Sequence, residues 1–139
     1  LALLVERDRS DSIRLSVPAT AAAVRIARVG AAGLATRAGF SYKEVEEVRL
    51  AVGEAAALLA LGENDADARS GGTLVVTYVV DPVGLSIELR VEDDPIPPSP
   101  LPDLAAAVLD ASVDEWEATP ADRRIVLRKH RTEDAEDEI

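Results

Sequence analysis

The run Ser41-Tyr42-Lys43-Glu44-Val45-Glu46-Glu47-Val48-Arg49-Leu50-Ala51-Val52-Gly53-Glu54-Ala55-Ala56-Ala57-Leu58-Leu59-Ala60-Leu61 decides how this chain is read. Its opening predicts a capping box, with Ser41 as N-cap and Glu44 reaching back to the Ser41 backbone N–H. Phe40 and Val45 occupy the two hydrophobic-staple positions. Glu44, Glu46 and Glu47 suit the positive end of the helix dipole. The helix is expected to run to about Leu61. Val45, Val48, Val52 and Leu59 share one side, and at ~100° per residue Leu50, Leu58 and Leu61 fall within roughly 40° of Glu54 on the other. A solvated glutamate keeps polar neighbours. The second half of this helix is apolar all round, so both sides are expected to be covered.

Upstream, Ile13-Arg14-Leu15-Ser16-Val17 alternates apolar and polar and reads as a short strand ended by Pro18. From about Thr20 to Ala38, Val24, Ala27, Ala31 and Leu34 recur at helical steps, with Gly39 as a C-terminal cap. Gly30 and Gly33 weaken that helix by up to ~1 kcal/mol each relative to Ala. Downstream, a polar loop (Gly62 to Gly72) leads to a β-rich strand, Thr73–Val80. Asp81-Pro82-Val83-Gly84 is a turn. Leu85, Ile87, Leu89 and Val91 then alternate with Ser86, Glu88, Arg90 and Glu92, which marks an antiparallel strand with one covered face. A proline-rich break precedes a short helix (about Asp103 to Ala111), a strand around Trp116, a turn at Pro120-Ala121-Asp122 and the strand Arg124–Lys129. The order β-α-α-β-β-α-β-β predicts an α+β two-layer sandwich, with helices on one face of a mixed or antiparallel sheet.

The 139 residues suit one domain with a sizeable core. No apolar run approaches the ~18–20 residues of a membrane span, and no signal segment opens the chain. Starting at Leu rather than Met, the sequence is expected to begin inside a longer gene product. The absence of cysteine excludes disulfides and thiolate metal sites and fits a reducing cytoplasm. A net charge of −11 argues against direct nucleic-acid or anionic-membrane binding. Thr132–Ile139 holds five acids and no base, leaving residues 1–131 at −6. The domain is therefore placed at 1–131, with 132–139 as an acidic solvating tail.

Three segments carry a resemblance. Ala27-Arg28-Val29 is one, the helix around Arg49-Leu50-Ala51-Val52-Gly53-Glu54 is the second, and Val113-Asp114-Glu115-Trp116 with Arg128-Lys129-His130 is the third. In this order they resemble the bacterial anti-sigma-factor serine kinases, within the GHKL ATPases, over about residues 12 to 131. The resemblance implies the histidine-kinase-like (Bergerat) fold and a homodimer. It implies that Arg28 serves a partner interface, that Glu54 is the catalytic base, and that Asp93 reads the adenine amino group. The implied partners are a sigma factor and an anti-sigma antagonist, and the implied cofactors are ATP and Mg²⁺.

The chain departs from that pattern at the nucleotide. The family follows its glutamate four residues later with an asparagine whose oxygen ligates magnesium. Leu58 stands there, and it has no oxygen for a hard cation. The family's Asp-x-Gly-x-Gly is matched by Asp93-Asp94-Pro95-Ile96-Pro97, with prolines for both glycines. Prolines lack the N–H groups and permissive φ of a phosphate cradle. No glycine follows Gly84, so the glycine-rich lid is absent too, and Leu104–Val108 stands in its place.

Each residue also has a plainer reading. Glu54 is either a partly buried carboxylate that meets an arginine or a working base; Asp93 either ends a strand or contacts adenine. Arg28 is either solvated or at an interface. His130 reads as structural and Trp116 as a core or interface anchor. The leading expectation is an anti-sigma-factor-like regulator that binds a sigma factor, an antagonist or both, with Glu54 and Asp93 vestigial and no cofactor or metal. The alternatives are an active ATP- and Mg²⁺-dependent serine/threonine kinase acting on an antagonist, and a non-catalytic dimerisation module.

Overall fold

The computed structural model describes residues 11–61, 72–93 and 100–132. The elements are β1 (Asp11–Pro18), α1 (Ala21–Arg37), α2 (Tyr42–Ala60), β2 (Thr73–Asp81), β3 (Gly84–Glu92), α3 (Asp103–Ser112), β4 (Glu115–Thr119), a 3₁₀ turn (Pro120–Asp122) and β5 (Arg124–His130). The strands form one sheet in the order β1-β2-β3-β5-β4, every neighbouring pair antiparallel. The expected α+β architecture is therefore observed, with an antiparallel rather than mixed sheet, and it accords with the histidine-kinase-like ATPase fold.

Strand alternation sorts the sheet into two faces. Leu74, Val76 and Tyr78 lie opposite Val91, Leu89 and Ile87, and Leu127 and Ile125 continue the row; all are buried in one core beneath the helices. The other face carries charged pairs, with Val75 buried among them. Glu88 accepts from Arg124 at 2.5 Å, Arg90 meets Glu92 at 2.7 Å, and Arg128 meets Asp81 at 3.1 Å. Burial disfavours the Asp81 anion, yet bonds from Arg128, Val83 N–H and Gly84 N–H together hold its carboxyl below the ordinary value.

Two helix ends follow local chemistry. Gly39, at φ 90°, ends α1; its N–H reaches Thr36 O and that of Phe40 reaches Ala35 O, both at 3.1 Å. Only a left-handed residue allows this Schellman closure, hence the glycine. At α2, the Ser41 hydroxyl accepts from Glu44 N–H at 3.1 Å and Glu44 Oε1 accepts from Ser41 N–H at 2.8 Å, while Phe40 and Val45 are buried together.

The buried stripe of α1 is finer than the sequence predicts. Ala23, Ala27, Ala31 and Ala35 are fully covered, whereas Val24 and Leu34 are half-buried. Small side chains there let α1 lie close against α2 and the sheet. One closer contact crosses the layers: the buried Tyr78 hydroxyl donates to Ala27 O at 2.9 Å. A Cβ on Gly30 would fall 2.9 Å from that oxygen, so the glycine makes room for the phenol.

Residues 133–139 of the acidic tail, residues 62–71 of the polar loop, and Pro95, Pro97 and Pro98 lie outside the described residues.

Candidate functional site

The axis of the site is α2 over β3. Thr132 meets Glu44 in the first turn of α2, and Gly84 pairs with His130 at that same end. From there β3 runs in the direction of α2 and delivers Asp93 toward the α2 C-terminus, beyond Glu54. Glu54 and Leu58 sit one turn apart on α2, both half-buried. Leu50, one turn earlier, is 55% exposed. The expected cover on both sides of α2 is thus incomplete among the described residues. α1, α3 and the sheet close the Val45–Val52 side and its flanks, and the Glu54 stripe faces outward between them.

Asp93 is exposed and adopts φ 59°, a left-handed conformation that aspartate tolerates better than most residues. Val91 N–H bonds to the carbonyl of Arg123, itself left-handed at φ 54°. Two unusual backbone positions therefore flank the end of the β3–β5 pair. Among the described residues, no hydrogen bond or ion pair joins Asp93 to Glu54 or Glu54 to an arginine.

Arg28 comes from α1 and lies across α2 at Gly53. Its Cδ is 3.0 Å, and its Nε 3.5 Å, from where a Gly53 Cβ would stand. The half-buried arginine therefore rests on the residue immediately before Glu54. Nothing in the local sequence announces this contact, because the two positions are 25 residues apart and meet only through helix packing.

A polar cleft of about 340 Å³ at the α2 N-terminus escaped the sequence reading. Lys129 Nζ donates to Glu47 Oε1 at 2.7 Å and to Ser112 O at 2.9 Å. Burial alone would raise the Glu44 pKa, but hydrogen bonds from Thr132 and Ser41 outweigh it and hold the carboxyl below its ordinary value. Glu44 thus caps its own helix and anchors the chain after β5. Its partners come from residues 41 and 132, and only the first was legible.

His130 is exposed, with Nε2 3.7 Å from Glu115 and its N–H bonded to Asp114. Trp116 is half-buried, packs on the core and donates from Nε1 to Asp110 at 2.8 Å. Among the described residues no three His, Cys, Asp or Glu side chains gather as a metal site. No described helix is long and apolar enough to cross a membrane.

No protein-family model matches the chain. Its curated relatives include the serine-protein kinase RsbW of Listeria monocytogenes serotype 4a (strain HCC23), 35% identical over 88 residues that span 60% of this chain and 51% of the relative. RsbW of Listeria innocua serovar 6a is 44% identical over 45 residues, 32% of this chain and 29% of that one. RsbW of Bacillus cereus (strain AH187) is 40% identical over 48 residues, covering 34% and 30%. In the longest of these matches the chain spans about half the length of the relative.

Proposed function

We propose that the chain, which is similar to the serine-protein kinases named RsbW as a distant relative, regulates transcription by holding a sigma factor or an anti-sigma antagonist, with ATP binding lost or weakened. The observation that carries the second half is Leu58. It stands one turn after Glu54 on the same face of α2 and presents only carbon where a magnesium ligand is required. The donor set here does not fit a Mg²⁺-bound nucleotide: one carboxylate, one leucine, and prolines at 95 and 97 in place of N–H donors. Arg28 supports the first half, because its contact with Gly53 fixes a cation on the outer side of the helix pair. The acidic chain suits a partner with basic patches. A homodimer in the cytoplasm is the setting of this reading.

A second reading, phosphorylation of an antagonist's serine, is favoured by the activity named for the relatives and by the retained Glu54. Calorimetric titration with Mg·ATP separates the two. The proposal expects no binding, or a Kd weaker than about 10 µM, equivalent to about −7 kcal/mol. Tighter binding would favour the kinase.

A further inference from the structure

An apolar groove of about 650 Å³ runs between β1 and α1. Ile13 and Leu15 line it from β1 and Ile26 and Val29 from α1, with Arg25, near the start of that helix, and Arg37, its last residue, at the two ends. Ile13, Ile26 and Val29 are 46%, 44% and 69% exposed, so the groove gathers three of the large exposed apolar side chains. β1 is also an edge strand, and its outer row of backbone groups has no strand to pair with among the described residues. The chain carries −11 overall, yet α1 holds three arginines and no acidic residue. Arg14 adds a further cation, on the opposite face of β1 from Ile13 and Leu15. Among the described residues, no ion pair or side-chain hydrogen bond engages Arg14, Arg25 or Arg37.

We propose that β1 and α1 form a strand-addition site, which takes an extended acidic segment of a partner protein as a further strand of the sheet. In this mode of recognition a free sheet edge supplies main-chain hydrogen bonds, and a groove beside it receives every second side chain. Both parts lie next to each other here, because Ile13 and Leu15 belong to the edge strand and to the groove wall. The two-residue period of a strand then sets the chemistry of the segment. Its groove-facing positions are apolar. Its intervening positions carry carboxylates on the Arg14 side, and further carboxylates lie past both ends of the apolar run, for Arg25 and Arg37. A second copy fits less well, since its β1 would set another Arg14 beside the first and its α1 would bring three more arginines. The site is separate from Arg28, which leaves α1 roughly 160° around the helix from Ile26, toward Gly53 of α2. The acidic remainder of the chain still suits basic patches, so the two surfaces select different partner segments.

A labelled peptide that alternates isoleucine with glutamate, with one more glutamate at each end, tests the proposal by fluorescence anisotropy with the full chain. It should bind saturably, and a version with lysine for every glutamate should not. Two further versions carry N-methyl groups on one or the other alternate set of amides; only the one whose N–H groups face β1 should lose binding. Amide exchange across residues 12–17 should slow about tenfold with the acidic peptide. Arg37→Glu and Arg25→Glu should each weaken binding about tenfold, and Arg37→Lys should largely keep it, with circular dichroism reporting that each fold is intact. No saturable binding of the acidic peptide, equal binding of the lysine peptide, or equal binding of the two methylated peptides would overturn the proposal. So would a dimer by light scattering that Val29→Asp turns into a monomer, with residues 12–17 protected before any peptide is added, which assigns the groove to a second copy.

Discussion

Arg28 lies across Gly53, with Cδ 3.0 Å from the place a side chain there would begin. The arginine on α1 is thus positioned by the lack of a Cβ on α2, one residue before Glu54. If this cation faces a partner, Arg28→Glu should abolish or severely weaken the complex, since like charges at an interface cost several kcal/mol. The stability loss should stay near ~1 kcal/mol, from lost stem packing and the neighbouring Glu54. Co-purification with candidate sigma factors, paired with a thermal melt, reads both effects. Unchanged recovery would leave Arg28 without a partner role.

Tyr78 and Gly30 should be energetically coupled. Tyr78→Phe removes the bond to Ala27 O and should cost about 0.5–1.5 kcal/mol. Gly30→Ala gains up to ~1 kcal/mol of helix propensity but drives the phenol away, for a net loss of about 1–2 kcal/mol. In the Tyr78→Phe background the same substitution should be close to neutral. Urea unfolding of the four proteins measures the coupling; strict additivity would contradict the contact.

Much of the fold was legible because its signals are local. Ser41 and Glu44 are three residues apart, Gly39 must be left-handed, and Leu85–Glu92 shows its period directly. The contacts that shape the candidate site are not local. Arg28 meets Gly53, Tyr78 meets Ala27 and Thr132 meets Glu44 only after the layers assemble. The apolar stripe beside Glu54 misled in one respect. Periodicity shows that Leu50 and Leu58 share a side, but not whether anything packs there, and Leu50 stands largely open.

Stability should fall at both ends of the pH range. Glu44 and Asp81 have folded-state pKa values below their ordinary 4.5 and 3.8, so the unfolded chain binds their protons more readily. Their contribution is present above those values and lost as pH falls through the lower folded ones. Tyr78 has the opposite sign: burial raises it from 10.0 to about 12. Its contribution is full below 10.0 and lost as pH rises toward about 12. Glu44→Gln should flatten the acid limb and Tyr78→Phe the alkaline limb of melting temperature against pH.

Leu58→Asn should not restore phosphate transfer. It returns one magnesium ligand, but Pro95 and Pro97 still offer no N–H donors. Incubation with labelled ATP and an antagonist protein is the assay, and robust labelling would show that the proline segment is no obstacle.

The central claim is that partner binding has outlived nucleotide binding. Its most direct test is the Kd of the full chain for a cognate sigma factor, measured with and without saturating Mg·ATP. The account predicts the same affinity in both conditions, because no nucleotide enters the complex. A complex that forms only with Mg·ATP, or tightens about tenfold with it (~1.4 kcal/mol of coupling), would contradict the account.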